Sequence, residues 1–214
     1  MATDNDKIVL SFYESLIRKS DIDILLSNNW LNDQIISFYF EYLEKNIYQH
    51  DKHILFISPE VTQCIKIIGE NEIKLFLEPL NAKSKLFIFF PLNDNTNDTA
   101  GGTHWSLLIY SRPKNTFYYL DSLMTINCSV DYNNFIKHIE RDLEIGTPDI
   151  KVLNCLQQVN GYDCGIHVLC AVDNIARHIK NTGYVEGYEK LTYDIIQNKR
   201  RELLGIIQTM GGKF

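Results

Sequence analysis

The strongest hydrophobic signal lies in the middle of the chain. KLFIFFPL (85–92), HWSLLIYS (104–111) and TFYYLDS (116–122) are short runs rich in aromatic and β-branched residues, separated by turn-like polar sequence. They predict three neighbouring strands. KIVLSFYESLI (7–17) alternates apolar and polar positions and predicts a further strand. Elsewhere the period lengthens to that of helices. Asn32 stands as an N-cap before DQIISFYFEYLEKN (33–46), and Ser58 followed by Pro59 opens ISPEVTQCIKII (57–68). EIKLFLEPL (72–80) reads as a helix stopping near Pro79, VDYNNFIKHIERDL (130–143) as another, and a last one runs from about Thr192 to Met210. IKVLNCL (150–156) predicts a strand. Helices at both ends of the sequence around a central sheet make the fold class α+β. No repeat and no Pro-, Gly- or Ser-rich linker interrupts the pattern, so a single domain over 1–214 is expected.

Composition narrows the function classes. The formal net charge is −6, which disfavours broad nucleic-acid binding and favours a partner with a basic face. The basic cluster Lys199-Arg200-Arg201 falls in the last helix and is expected to be a solvated helix face. The most apolar run, Leu86 to Leu92, is too short to span a bilayer and contains Pro91, so no membrane association is expected. MATDNDK at the start has no apolar stretch of the signal-peptide kind, which predicts an intracellular protein, cytoplasmic and/or nuclear. The five cysteines are odd in number and form no C-x-x-C pair, excluding a disulfide scaffold and a zinc knuckle as readings. Cys64, Cys128, Cys155 and Cys170 are taken as inert core residues.

Cys164 is different. In QQVNGYDCGIHVLCAV (157–172) it stands where a polar loop becomes an apolar, buried helix. Asp163 is placed to N-cap that helix, so Cys164 lies in the first turn, where free N–H groups and the helix dipole favour a thiolate. Gly165 is expected to admit close approach of another backbone, as a bound peptide needs. A cysteine nucleophile requires a base and a group to orient the base. His104 opens one predicted strand and Asp121 ends the next; if those strands pair antiparallel, the two side chains share one sheet edge. His167 is a rival base on the Cys164 helix, but it sits in an apolar run with no acid to orient it and is better read as a core histidine. Cys164, His167 and Cys170 form C-x₂-H-x₂-C, spread over a wide arc of helix without a fourth ligand, so neither zinc nor any other cofactor is expected. His50, His53, His138 and His178 read as surface residues.

With GGTHWSLLIY, YYLDSL and QQVNGYDCGIHVL in hand, the sequence resembles the sentrin-specific (ubiquitin-like-protein-processing) cysteine proteases. The resemblance implies a papain-related fold with His104 as base, Asp121 as its orienting carboxylate and Cys164 as nucleophile. It also implies that Gln158, six residues ahead of the nucleophile, lends its amide to the oxyanion hole, whereas Gln157 does not. SFYESLIRKSDIDIL, SNNWLNDQIISFYFEYL, FISPEVTQ and FLEPL are similar to the amino-terminal half of the deneddylase branch, and NDNTNDTAGGT (93–103) fits that branch's longer loop before the histidine. The implied partner is the ubiquitin-like modifier of the neddylation pathway and its conjugates, bound by a monomer. Trp30 and Trp105 would flank the modifier's Gly-Gly tail, with Trp105 the stronger contact, and Asp33 would touch its body or a basic stretch. Residues 94 to 103 would then act as a lid, in motion when free and ordered over the tail. A SUMO-directed protease with the same site and a non-catalytic modifier-binding module are the alternatives. His167 departs from the family, which has an apolar or aromatic residue there.

Overall fold

Successive residues of the central strands face two different cores, which is why their sequence is apolar almost without interruption. The computed structural model describes residues 7–69, 72–99, 101–123 and 132–214. In it β1 (Ile8–Phe12) and β2 (Ser15–Arg18) form an antiparallel hairpin. A second sheet has the order β3 (Ile54–Phe56), β4 (Phe87–Asn93), β5 (Trp105–Ser111), β6 (Thr116–Leu120) and β7 (Asp149–Val152). β4, β5 and β6 pair antiparallel, whereas the outer strands β3 and β7 run parallel to their neighbours. On one face lie α1 (Lys19–Leu25), α2 (Asp33–Tyr42), α6 (Cys164–Thr182) and α7 (Tyr193–Thr209). On the other lie α3 (Pro59–Ile67), α4 (Lys74–Leu77) and α5 (Tyr132–Glu140). Phe89, Leu107, Ile109 and Leu120 join the first core; Ile88, Phe90, Leu108 and Phe117 join the second. This is the expected α+β arrangement, a mixed sheet flanked by helices. Among the described residues, no helix is long and apolar enough to cross a membrane.

Helix starts with a local capping signal are where the sequence puts them. The Asn32 side chain accepts the Ile35 N–H at 3.1 Å ahead of α2, and the Ser58 hydroxyl oxygen accepts the Val61 N–H at 3.4 Å ahead of α3. α2 continues into a π-helical turn, Leu43–Ile47. Elements held by distant partners differ from expectation. The strand expected over 7–17 is a hairpin, whose turn places Tyr13 at φ 45° and is held by the Glu41 carboxylate accepting the N–H groups of Glu14 and Ser15 at 3.1 and 3.0 Å. α1 and the three-residue β3 carry too short a pattern to register in sequence, and α4 spans only Lys74–Leu77. Cys170 is buried, Cys64 and Cys155 are partly buried, and Cys128 lies outside the described residues, as do positions 130 and 131 of the helix expected over 130–143.

The basic cluster on α7 is not a solvated face. Lys199 is 1 % exposed and donates to Asp173 Oδ2 at 2.5 Å, to the Tyr39 hydroxyl at 2.7 Å and to Glu202 Oε1 at 2.8 Å. The Tyr39 hydroxyl in turn donates to Asp173 Oδ1 at 2.7 Å, so one cation joins α2, α6 and α7. Burial works against the charge of Lys199, and Asp173 and Glu202 outweigh it and hold the lysine protonated. Arg200 is also mostly buried; of the three, only Arg201 has the exposure expected of the cluster. Lys199→Ala leaves Asp173 among three helices without its cation. It is expected to lower stability by about 3 kcal/mol, read as a fall in the urea midpoint at unchanged slope.

Candidate active site

The β5–β6 register sets the first pair of functional side chains. Leu107 lies opposite Leu120 and Ile109 opposite Tyr118, so the start of β5 lies beside the end of β6. His104 immediately precedes β5 and Asp121 immediately follows β6. His104 Nε2 is 2.7 Å from Asp121 Oδ1, and both residues are buried. The carboxylate is itself fixed: Oδ1 also accepts the Leu123 N–H at 2.8 Å, and Oδ2 accepts the Tyr119 hydroxyl at 3.0 Å. With Nε2 committed to Asp121, Nδ1 is left for Cys164, whose sulfur is near enough to act on the ring's pKa. Burial acts to lower the His104 pKa, but the hydrogen bonds and negative charge of Asp121 and Cys164 outweigh it and push the value up to about 10. The proton therefore rests on the imidazole at neutral pH, beside the sulfur of Cys164.

Among the described residues, Cys155 and Cys170 have no imidazole acting on them. Burial pushes Cys155 up to about 11 and Cys170 up to about 12. His167 is buried, which lowers its pKa, and it hydrogen-bonds the Leu156 backbone; it is a satisfied core histidine. Among the described residues, no cluster of His, Cys, Asp and Glu is arranged to hold a metal ion.

Around the sulfur the structure corrects the expectation that Asp163 caps the helix. Asp163 occupies the N-cap position of α6, yet its side chain takes none of the first-turn N–H groups. Its carboxylate is drawn away by Arg200, whose Nη2 donates to Oδ1 at 2.9 Å, and by Asn160, whose Nδ2 donates to Oδ2 at 2.8 Å. The N–H groups at the start of α6 are thus open to a ligand charge. The missing side chain of Gly165 also serves packing within the fold. A Cβ built there would lie 2.9 Å from Leu31 Cβ, so the glycine lets the segment before α2 pack onto the nucleophile helix.

Gln158 is held at both ends of its amide. Oε1 accepts the Ser122 hydroxyl at 2.7 Å and Nε2 donates to the Asn160 carbonyl at 2.7 Å, leaving Nε2 one further hydrogen to offer. Gln157 turns the other way, donating to the Asp121 and Cys155 carbonyls at 3.1 and 3.3 Å.

A cleft of about 530 Å³ is lined by Trp30, Asp33, Trp105, α3 residues and the loop before His104. Trp30 is 49 % exposed and donates its indole N–H to the Gly161 carbonyl at 2.6 Å. Trp105 is 8 % exposed and donates to the Leu31 carbonyl at 2.9 Å, so of the two indoles Trp30 offers the larger free surface. Asp33 is exposed at the start of α2. The loop over 94–103 is better tethered than its polar composition implies. Asp94 accepts the N–H groups of Thr103 and His104 at 2.7 and 3.1 Å, and Lys66 and Gln63 on α3 donate to the carbonyls of Asn93 and Asn97 at 2.6 and 3.0 Å. Gly102 sits at φ 92°, where a Cβ would fall 1.8 Å from Asn93 Oδ1. The signals missed in sequence were Asp94, Lys66 and Arg200, because each acts on a backbone that only the fold brings near.

An imidazole steadied by a carboxylate against one sulfur is the arrangement of a cysteine peptidase. Residues 29–212 match the model of the Ulp1 protease family, C-terminal catalytic domain. The chain belongs to the Ulp1 protease family. It is a cysteine peptidase, with the histidine, aspartate and cysteine in the order typical of that family. Sentrin-specific protease 8 of Rattus norvegicus is 39% identical, over 97% of this chain and 97% of its own. NEDD8-specific protease 1 of Arabidopsis thaliana is 32% identical, over 97% and 95%. The fold is that of the C-terminal Ulp1 protease domain solved in complex with Smt3, the yeast ortholog of SUMO. That structure has a TM-score of 0.75 at 24% identity, over 99% of this chain and 91% of that one.

Two outcomes follow from the geometry. The His104 pKa lies above its ordinary value, so the folded protein keeps the imidazole protonated until pH rises through about 10, and the stability this adds is full below about 6.5 and lost over the same rise. Wild-type kcat/KM should therefore hold to high pH. Asp121→Asn, which removes the charge that lifts the imidazole, should bring the alkaline limb toward neutrality and cut kcat by roughly 10⁴-fold, read from pH–rate profiles. Gln158→Ala should lower kcat about 10²- to 10³-fold with the melting temperature little changed, measured by single-turnover kinetics beside thermal melts.

Proposed function

We propose that the chain is a deneddylase, a cysteine peptidase that hydrolyses the bond after the C-terminal Gly-Gly of the ubiquitin-like modifier of the neddylation pathway. The observation that carries the reading is the convergence of His104, Asp121 and Cys164 in a chain 39% identical, over almost its full length, to a sentrin-specific protease 8. The likeness to a relative named for NEDD8, and the long loop between β4 and His104, favour this modifier over SUMO.

The Cys164 thiolate attacks the carbonyl carbon of the terminal glycine, and the carbonyl π electrons move onto oxygen. The Cys164 N–H and the remaining Gln158 amide hydrogen hold that oxyanion. As the tetrahedral intermediate collapses, the C–N bond breaks and His104 gives its proton to the leaving amine. The neutral imidazole then takes a proton from water as the water attacks the thioester, and the thiolate leaves and re-forms the ion pair. The leaving amine is a peptide N-terminus in precursor maturation or a lysine side chain in deconjugation, and the chemistry is the same for both. Trp30 and Trp105 line the cleft in which the tail would lie, with Asp33 at its edge and residues 97–99 and 101–103 on its far side. A slot between indoles admits residues without a Cβ, which suits a Gly-Gly tail.

Hydrolysis of fluorogenic NEDD8, SUMO and ubiquitin substrates, measured side by side, tests the reading. NEDD8 is expected to exceed the other two by at least about tenfold in kcat/KM, a difference of about 1.4 kcal/mol. An electrophile at the NEDD8 C-terminus is expected to form an adduct with wild type and none with Cys164→Ser. Tight binding with no adduct to wild type would point to a binding module instead.

A further inference from the structure

The nucleophile loop is held from behind by an arginine two helices away. Arg200 of α7 is mostly buried and makes contacts in two directions. Its Nη2 and Nε donate to Asp163 Oδ1 at 2.9 and 3.3 Å. Its Nη1 donates to the Ile24 carbonyl at 3.0 Å, and Nη2 also to the Asn29 carbonyl at 2.7 Å. From Asp163 the hydrogen bonds continue. Oδ2 accepts Asn160 Nδ2 at 2.8 Å; Asn160 Oδ1 accepts the N–H groups of Tyr162 and Asp163 at 3.1 and 3.0 Å; the Asn160 carbonyl accepts Gln158 Nε2 at 2.7 Å. One connected path leads from α7 to the amide placed at the oxyanion.

An aspartate directly ahead of a helix ordinarily folds back onto the N–H groups of the first turn. Here that would set a fixed negative charge where thiolate and oxyanion must both be stabilised, and would occupy donors at that end. The Asp163 carboxylate instead points toward the guanidinium, and its charge is matched there. Beside Cys164 stand His104, backed by Asp121, from the sheet, and Asp163, its neighbour in sequence, whose charge is matched by Arg200 of α7.

We propose that Arg200 is a positioning residue of the peptidase: by holding Asp163 it keeps the first turn of α6 open and sets the Asn160–Gln158 arm before substrate arrives. The inference rests on the reading of Cys164 as nucleophile. It competes with a purely structural role, in which Arg200 only pins α7 to the segment before α2 through the Ile24 and Asn29 carbonyls.

A double-mutant cycle separates the two roles, with kcat and KM measured on the fluorogenic modifier and thermal melts alongside. Arg200→Gln is expected to lower kcat about 10- to 100-fold while KM changes by less than about 3-fold. Arg200→Lys, which keeps the charge without the fork, should retain an intermediate rate. In an Asp163→Ala background the Arg200→Gln effect on kcat should shrink to less than about 3-fold, because the carboxylate it acts through is gone. Equal losses in both backgrounds, a loss confined to KM, or an unchanged kcat would each overturn the proposal. Should Arg200→Gln fail to fold, Arg200→Lys in the two backgrounds carries the same comparison. Wild type that neither turns over nor is captured at Cys164 would defeat the functional reading itself. An active wild type matched by Arg200→Gln would defeat only the role given to Arg200.

Discussion

The pairing of β5 with β6 is the constraint on which the site depends. Both strands are buried on both faces, with alternate residues assigned to different cores. A slip of one residue would turn every side chain of one strand to the wrong layer, so the register is fixed by the whole of both cores. That same register brings His104 to Asp121. The catalytic geometry is thus secured by packing spread over the molecule, and the 2.7 Å contact itself contributes little to holding the strands in place.

The sulfur arrives by a different route. α6 is buried along most of its length between the sheet, α2 and α7, and its first residue is Cys164. The helix axis is set by apolar contacts, while its polar N-terminal end is governed by ion pairs and loop hydrogen bonds. Lys199 with Asp173 and Arg200 with Asp163 are adjacent residues of α7 acting on two points of α6. One fixes the middle of the helix, and the other governs the charge at its start. Compared with well-packed apolar residues, buried pairs of this kind add little net stability, but removal of one partner strands the other charge.

The legible parts of the sequence were those whose cause is local. Asn32 and Ser58-Pro59 announce helix starts because a cap acts within three residues, and the aromatic runs announce strands because burial on both faces leaves no polar position to dilute them. The His104, Asp121 and Cys164 constellation was legible because strand ends and a helix start are positions that pattern reveals. What was not legible depends on partners far along the chain. The hairpin turn at Tyr13 has no turn residue of its own and is held by Glu41; Asp163 has the sequence of a cap, but Arg200 claims its carboxylate. Lys199 and Arg200 look like solvent charges in a helical pattern, since period alone cannot show that α6 presents acids to them. Gly165 was read as room for a bound backbone, and its sequence gives no sign that Leu31 packs where a side chain would otherwise be.

The short segment Trp30-Leu31-Asn32 links three tasks through neighbouring atoms. Trp30 holds the Gly161 carbonyl, Leu31 nests on Gly165 and accepts the Trp105 indole, and Asn32 caps α2. The two indoles that line the cleft and the helix that begins with Cys164 are therefore tied to one short segment. A shift of Leu31 would therefore loosen the Trp105 hydrogen bond and the packing on Gly165 together, so one residue couples the cleft wall to the start of α6.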